Sequence, residues 1–251
     1  MFPIRDHNPS SRTPYVTWAL IVVNVAVFLS YAGALGTREI LAVYGQWAMI
    51  PERVSAGVQT YTVLTSMFLH GGWMHLIGNM LFLWIFGDNV EDELGHGGFL
   101  AFYLGTGAVA GLAHLAADPT SGVPTVGASG AIAGVMGGYL LLFPRARVDV
   151  LLILVVIVRI VPVPAFVMLG VWFAIQLLSG ASVDTSGGGV AYWAHAGGFA
   201  AGAVGLLPSW LRRGGPAFWR RTHGAPPHPE ARYGRTSVPA VPRRGGSRRG
   251  P

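Results

Sequence analysis

Three segments of the sequence carry side chains capable of acyl-transfer chemistry inside long apolar runs. Ser129 lies among glycines at the start of one run, and His195 opens another. His75 and Asn79 are four residues apart in a third run, so they share one face if that run is helical. A hydroxyl, an imidazole and further hydrogen-bond donors are the nucleophile, base and oxyanion stabilisers that acyl transfer needs.

Each of these residues also has an ordinary structural interpretation. A serine at a helix start is commonly an N-cap. Histidine and asparagine in membrane helices often hydrogen-bond a neighbouring helix. A lone histidine at a helix start, such as His195 or His70, is more often interfacial. A helix N-terminus nevertheless presents unpaired N–H groups and a positive dipole end, which would stabilise negative charge beside Ser129.

The spacing of small residues predicts how two of these runs meet. Gly198 and Gly202 form a small-xxx-small pair on the run that His195 opens, and such pairs let helices approach closely. The run that begins at Ser129 has matching small residues, namely Gly130, Gly134 and Gly137. Packing the two faces together would bring His195 level with Ser129.

The elements that must position these residues are membrane-spanning helices. The 251-residue chain is 52% hydrophobic and 11% charged, whereas a soluble domain carries about 25% charged residues. A crossing helix needs about 20 apolar residues. We predict six spans, the fourth of them short, at 15–34, 68–87, 98–117, 129–143, 165–178 and 192–207. The chain has no cysteine, which excludes a thiol nucleophile, a disulfide and a Cys-ligated metal.

Charge placement predicts the orientation of these spans. With both termini cytoplasmic, only Arg38 and Arg53 of the arginines near the spans fall outside, as the positive-inside rule favours. The long first external loop, 36–65, has an apolar middle and is predicted to associate with the membrane. Segment 148–161 either extends the fifth span or lies at the interface, and Pro162 and Pro164 favour the interface.

The chain therefore divides into three regions. Residues 1–14 form a polar cytoplasmic segment, residues 15–207 form the membrane domain, and residues 208–251 form an Arg/Pro/Gly-rich tail. The tail has few apolar residues with which to offset ordering entropy, so we predict that it is disordered. A basic run beside a membrane span more often meets anionic lipid than nucleic acid. We expect lipid contact and no nucleic-acid partner.

The ordered motifs resemble the rhomboid intramembrane serine proteases. These motifs are H-G-G-W-M-H-L-x-G-N from His70, G-A-S-G-A-I-x-G from Gly127 and A-H-A-G-G-F-x-x-G from Ala194. The resemblance covers about residues 15–207 and implies an all-α, six-transmembrane-helix bundle. It also implies a serine endopeptidase that needs no metal or cofactor and cleaves transmembrane segments of other membrane proteins. We expect it in a bacterial cell (inner) membrane.

The resemblance assigns roles to individual residues. Ser129 would be the nucleophile and His195 the base, in a dyad without an acid, while His75, Asn79 and the Ser129 N–H would form the oxyanion hole. The expected supporting residues are His70, Gly127, Gly198 and Gly202, and Glu91 resembles a structural glutamate at the cytoplasmic end of the second span. Many relatives carry an aromatic residue four positions after the serine, packed on the histidine, where this chain has Ala133.

The sequence is also compatible with two other functions. One is a catalytically inactive rhomboid-like protein that binds membrane proteins, against which the intact Ser129 and His195 argue. The other is a small transporter or channel with a histidine proton relay. The spans carry no acidic residues suited to such a relay, and the sequence shows no repeat symmetry.

Overall fold

The computed structural model describes residues 2–32, 36–154, 157–182 and 190–231, which are mostly helical. The helices are α1 (Tyr15–Ala32), α2 (Thr37–Trp47), α3 (Pro51–Ser55), α4 (Thr62–Thr65), α5 (Trp73–Ala117), α6 (Ser129–Leu142), α7 (Ala165–Ser182), α8 (Tyr192–Arg212) and α9 (Pro216–Thr222). A 3-10 turn spans Ser66–Phe68. The strands are β1 (Phe2–Asp6), β2 (Arg147–Leu154) and β3 (Ile157–Pro164).

Helix α5 contains the third predicted span and all of the second except its first five residues, 68–72, which precede the helix. Its 45 residues are more than twice the ~20 that one crossing requires. Gly95 interrupts it with φ of 69°, a conformation that glycine adopts without steric cost. His75 near its start and His114 near its end line the same cavity. The two halves of α5 therefore run back alongside each other from the bend at Gly95.

Within the described residues, three helices are long and apolar enough to cross a membrane, namely α1, α5 and α7. Helix α6 is apolar but has 14 residues, so it is about 21 Å long and shorter than the ~30 Å hydrocarbon core. The predicted end of the first span at Ala34 lies outside the described residues. The count of six spans stays a prediction.

Helix α6 is the central helix, and every residue from Gly130 to Tyr139 is buried. It packs against α8 at backbone distance. A Cβ added at Gly202 would overlap the backbone of Gly134, and one at Gly198 would overlap the carbonyl of Gly130. The helices meet along the faces that the spacing of the glycines predicts. The first turns of α6 and α8 consequently lie side by side.

The expected all-α class is wrong for segment 148–161, which forms a β-hairpin with β1 added at one edge. Strand β2 pairs antiparallel with β3, with Arg147 opposite Pro164 and Leu154 opposite Ile157. The sheet order is β1-β2-β3, and the hairpin tip at 155–156 lies outside the described residues. Branched side chains favour strands, and an edge strand tolerates the prolines of β3. The segment does not extend the fifth span, because α7 begins at Ala165; its interfacial location stays a prediction.

The predicted disordered tail is wrong for residues 208–231, whereas residues 232–251 lie outside the described part. Helix α8 continues through Pro208 to Arg212. A proline inside a helix removes one backbone hydrogen bond, but the buried Leu206 and Ser209 on either side hold the helix against its neighbours. Helix α9 follows, and the indole N–H of Trp219 donates to the Leu141 carbonyl at 3.0 Å.

The last part of the apolar middle of the first loop is buried in the protein, whereas Trp47 just before it is exposed. Ala48, Met49 and Ile50 are all buried. The Met49 N–H donates to the Thr125 carbonyl at 3.1 Å, and the Thr125 N–H donates back to the Met49 carbonyl at 2.8 Å. This pairing ties the loop to the segment before α6. Helix α2 has no buried residue, and membrane contact by its apolar side chains stays a prediction.

Glu91 joins α5 to the start of α1. Its buried carboxylate accepts from the N–H groups of Val16 and Thr17 at 2.9 and 2.8 Å and from the Thr17 hydroxyl at 2.7 Å. A carboxylate there satisfies otherwise unpaired N–H groups and complements the positive end of the helix dipole. The contacts agree with the structural role expected for Glu91.

Candidate active site

Ser129 and His195 meet at the start of two adjacent helices. Ala128, not Ser129, occupies the N-cap of α6, and no side chain caps that helix. The Ser129 Oγ lies 2.7 Å from the Nε2 of His195. The N-cap interpretation of Ser129 is therefore wrong. A hydroxyl within hydrogen-bond reach of an imidazole is the arrangement of a nucleophile and its base.

His75 lies beside this pair in the first turn of α5. Its Nδ1 accepts a hydrogen bond from the Gly71 N–H at 3.3 Å. A neutral imidazole that accepts at one nitrogen carries its proton on the other, so His75 has a donor at Nε2. A Cβ placed on Gly127 would come within 2.7 Å of that Nε2, so His75 Nε2 lies against the chain two residues before Ser129.

Asn79 supplies a second unused donor. It lies one turn after His75, its side chain is buried, and it lines the same cavity as Ser129. Its amide nitrogen has no hydrogen-bond partner among the described residues. Buried amide donors normally find partners. An unpaired donor on a residue that lines the cavity beside a nucleophile suits an oxyanion hole before substrate arrives.

Gly127 shapes the turn into α6. Its φ is 129°, in the region that favours glycine. Its N–H donates to the Ser66 carbonyl at 2.9 Å, which joins the turn to the segment before α5. A side chain here would be strained and would also collide with His75. The glycine therefore allows the first loop, α5 and α6 to converge on Ser129.

His70 is completely buried within the protein, and its interfacial location stays a prediction. Its backbone N–H donates to the Tyr31 hydroxyl at 2.7 Å, and its carbonyl accepts from Tyr31 at 2.8 Å and Tyr44 at 3.0 Å. Its ring packs edge-on against His75, with centroids 5.1 Å apart. These contacts suit a supporting role for His70 behind the ring of His75.

Two α7 residues that the sequence reasoning missed contact the ring of His195. Gln176 places its Oε1 2.8 Å from the Nδ1 of His195. The Trp172 ring packs on the imidazole with centroids 5.7 Å apart and planes at 32°. Trp172 thus supplies the aromatic contact that is absent at Ala133. Gln176 could have been singled out, because an amide within an apolar span calls for a reason.

Ser129, His195, His75, Asn79 and Trp172 line a cavity of about 880 Å³. Its apolar wall includes Met74, Phe82 and Met136, and its other wall includes His114 and Asp118. Asp118 is exposed, so the cavity reaches the molecular surface at the end of the bundle where α6 and α8 begin. Within the described residues, no three His, Asp or Glu side chains are grouped so that they could hold a metal ion.

The three long apolar helices indicate an integral membrane protein. Residues 57–211, more than half of the chain, match the Rhomboid domain. The chain therefore belongs to the rhomboid family, as its three motifs predict.

Several curated proteins are similar to parts of the chain. Rhomboid protease GluP of Bacillus subtilis is 34% identical over 129 residues, which are 51% of this chain and 24% of that protein. Rhomboid protein 1, mitochondrial, of Saccharomyces cerevisiae is 32% identical over 163 residues, 59% of this chain and 41% of that protein. Rhomboid-like protein 11, chloroplastic, of Arabidopsis thaliana is 31% identical over 131 residues, 51% of this chain and 42% of that protein. Each match spans less than half of the relative's own length.

Proposed function

We propose that this chain is a serine endopeptidase that hydrolyses transmembrane segments of other membrane proteins. The observation that carries the proposal is the 2.7 Å approach of the Ser129 Oγ to the His195 Nε2. Membership of the rhomboid family, in which relatives such as GluP are named proteases, supports the same reaction.

The first half of the proposed reaction forms an acyl-enzyme. The Ser129 oxygen attacks the carbonyl carbon of the peptide bond while its proton passes to the Nε2 of His195. The carbonyl oxygen becomes an oxyanion, which the donors of His75, Asn79 and the Ser129 N–H stabilise. The C–N bond then breaks, and His195 gives its proton to the leaving amine nitrogen.

The second half returns the enzyme to its starting state. Water attacks the ester carbon and gives a proton to His195, and the bond to the Ser129 oxygen breaks as that oxygen takes the proton back. Water needs a path to the site, and the exposed rim of the cavity at Asp118 provides one.

The proposed substrates are transmembrane segments that unwind easily. A helical peptide bond is held by its own backbone hydrogen bonds and must be released before attack. Segments containing glycine or proline lose less on unwinding, because both residues disfavour the helix. We propose a bacterial inner membrane as the location, with anionic lipid in contact with the basic tail.

The test is cleavage of a labelled transmembrane substrate by the purified protein in detergent. We expect wild type to cleave and Ser129→Ala to lose cleavage, because the nucleophile is removed. Ser30→Ala is a matched control, since the Ser30 hydroxyl is exposed on α1 and bonds only locally to the Val27 carbonyl. Retained cleavage by Ser129→Ala would rule out Ser129 as the nucleophile.

A fluorophosphonate probe separates the active enzyme from an inactive membrane-protein binder. An activated serine reacts with the probe, so wild type should be labelled and Ser129→Ala should not. Substrate binding without labelling or cleavage would favour the inactive binder.

A further inference from the structure

Gln176 is a buried amide in the middle of α7, a helix that otherwise exposes most of its residues. Its Nε2 donates to the Trp172 carbonyl one turn earlier at 3.3 Å. Its Oε1 lies 2.8 Å from the Nδ1 of His195. The amide thus bonds its own helix through its donor and α8 through its acceptor.

This pairing determines which nitrogen of His195 carries the proton. The contact with the Trp172 carbonyl orients the amide so that its oxygen faces the imidazole. An amide oxygen can only accept, so Nδ1 must be protonated. Neutral His195 then has its lone pair on Nε2, the atom that faces the Ser129 hydroxyl, and is ready to take the serine proton.

We propose that Gln176 is a positioning residue that fixes the tautomer and orientation of the catalytic base, which makes the site a Ser-His-Gln triad instead of a dyad. The inference rests on the proposed serine-protease function. A third group that orients the base is a recurring part of such sites, and a neutral amide fills that place in some cysteine proteases.

The surroundings explain why the third group is neutral. Gln176 lies in an apolar span, where a carboxylate would lose its hydration and require a charged partner. An amide holds the Nδ1–H without that penalty. Trp172 limits rotation of the ring from its face while Gln176 holds its edge, so one turn of α7 orients the imidazole.

The rival interpretation is that Gln176 only satisfies its own polarity by bonding a neighbouring helix, as polar residues in membrane helices do. Under that interpretation its loss would alter stability and leave the chemical step unchanged. The measurements must therefore distinguish an effect on kcat from effects on KM and on the stability of the fold.

The first variant is Gln176→Met, which keeps the length of the side chain and removes the acceptor. We expect kcat to fall on the order of tenfold to hundredfold with KM unchanged, below the ~10²–10⁴-fold that a general base contributes. Gln176→Glu restores an acceptor for the Nδ1–H, so it should cleave faster than Gln176→Met. If the methionine variant fails to fold, the protonation of the His195 Nδ1 in wild type decides the question. Wild-type kcat in Gln176→Met, or no gain in Gln176→Glu over it, would overturn the proposal.

Asn24 of α1 provides a matched control. It is a buried amide whose Nδ2 donates to the Leu20 carbonyl one turn earlier at 2.8 Å, and it does not line the cavity. Asn24→Leu removes a comparable amide from a comparable helix. It should change thermal stability about as much as Gln176→Met and leave kcat at the wild-type value. An equal fall in kcat in both variants would count against a specific role for Gln176.

A spectroscopic measurement tests the tautomer without relying on activity. Protein labelled with ¹⁵N-histidine should show a proton on the Nδ1 of His195, assigned by its absence in His195→Ala and shifted or lost in Gln176→Met. If wild type neither cleaves nor reacts with the probe, the proposed function fails while this signal still reports the hydrogen bond. If wild type cleaves and the signal is on Nε2, the positioning inference alone fails.

Discussion

At the residue scale, two side-chain donors beside Ser129 are unpaired before any substrate binds. Gly71 occupies the Nδ1 of His75, and this leaves the Nε2–H of that ring free. Asn79 has an amide nitrogen with no partner in the described chain. Donors arranged before the reaction need no reorganisation when charge develops, which is the main advantage of a preorganised site.

Asn79→Ala should lower kcat by ~10²–10³, the usual effect of removing one oxyanion donor. The loss should appear with little change in KM, because the oxyanion exists only in the transition state. Steady-state cleavage of a transmembrane substrate measures both constants, and Asn24→Ala is the control for removal of a buried amide elsewhere. Unchanged kcat in Asn79→Ala would remove Asn79 from the oxyanion hole.

Sequence motifs predicted the four residues of the proposed active site, but not the residues that contact them. Ser129, His195, His75 and Asn79 lie in short segments whose residue types and spacing are informative. Gln176 contacts His195 across 19 positions of sequence, and no local pattern encodes that contact. The same applies to Trp172, because an aromatic residue in an apolar span has many possible neighbours.

At the element scale, the approach of α6 and α8 decides whether Ser129 and His195 meet. The two backbones touch because glycines face each other, and a single added methyl group between them has no space. Small residues allow close approach of membrane helices and gain van der Waals contact in return. The distance between the Ser129 Oγ and the His195 Nε2 is therefore a consequence of helix packing.

Gly202→Val should destabilise the protein and lower its activity, because its side chain would force α8 away from the backbone of Gly134. Overpacking typically costs about 1–3 kcal/mol, and the displaced helix carries His195. Thermal unfolding and cleavage rate are the measurements. Val204→Ala is a control on the exposed side of the same helix and should leave both near wild type. A fully stable and active Gly202→Val protein would show that the helices can separate without consequence.

The helices could be predicted from apolar length, but the sheet could not. Pro162 and Pro164 exclude a continuous helix, yet they do not indicate which strand pairs with segment 148–161. That partner is β1, whose Phe2 lies opposite Leu151, almost 150 positions away in sequence. The same reasoning missed α9, where the buried Phe218 and the hydrogen-bonded Trp219 order a stretch that an average over the whole tail suggests is disordered.

At the scale of the whole molecule, the two ends of the described chain join on the side opposite the cavity. The Ala231 N–H donates to the His7 carbonyl at 3.1 Å, and the Arg145 N–H donates to the Gly224 carbonyl at 2.8 Å. Asp149 of β2 accepts from the Arg5 guanidinium at 2.7 Å. Burial alone would raise the pKa of Asp149, but hydrogen bonds from Arg5 and His7 outweigh it and hold that pKa below the usual value.

The pKa of Asp6, in the same region, is shifted in the opposite direction. Burial, with the nearby Asp88 charge, raises the pKa of Asp6 well above its usual value, although the Tyr139 hydroxyl donates to it at 2.7 Å. The folded protein thus holds this proton more tightly than the unfolded chain does. The proton on Asp6 makes its full contribution to the free energy of unfolding below the pKa of the unfolded chain, about 3.9. That contribution is lost as pH rises through the raised pKa of Asp6 in the folded protein.

Asp6→Asn should therefore stabilise the protein near neutral pH, since the amide still accepts from Tyr139 and carries no charge. The gain in Tm over wild type should shrink as pH falls towards about 4, where both states of wild type hold the proton. Thermal unfolding in detergent between pH 4 and 8 measures this difference. A gain in Tm that does not vary with pH would show that proton binding at Asp6 is not its source.

The exposed surface of α7 has a consequence for how the proposed enzyme responds to its bilayer. Within the described chain, Ala165, Leu169 and Gln176 are the buried residues of this helix, so most of its surface faces acyl chains. A helix in that setting adjusts its tilt when the hydrocarbon thickness changes. Because one turn of α7 holds the imidazole, a thicker or thinner membrane would turn the base relative to the nucleophile. If the proposed function holds, the lipids around α7 are in this sense a part of the catalytic apparatus.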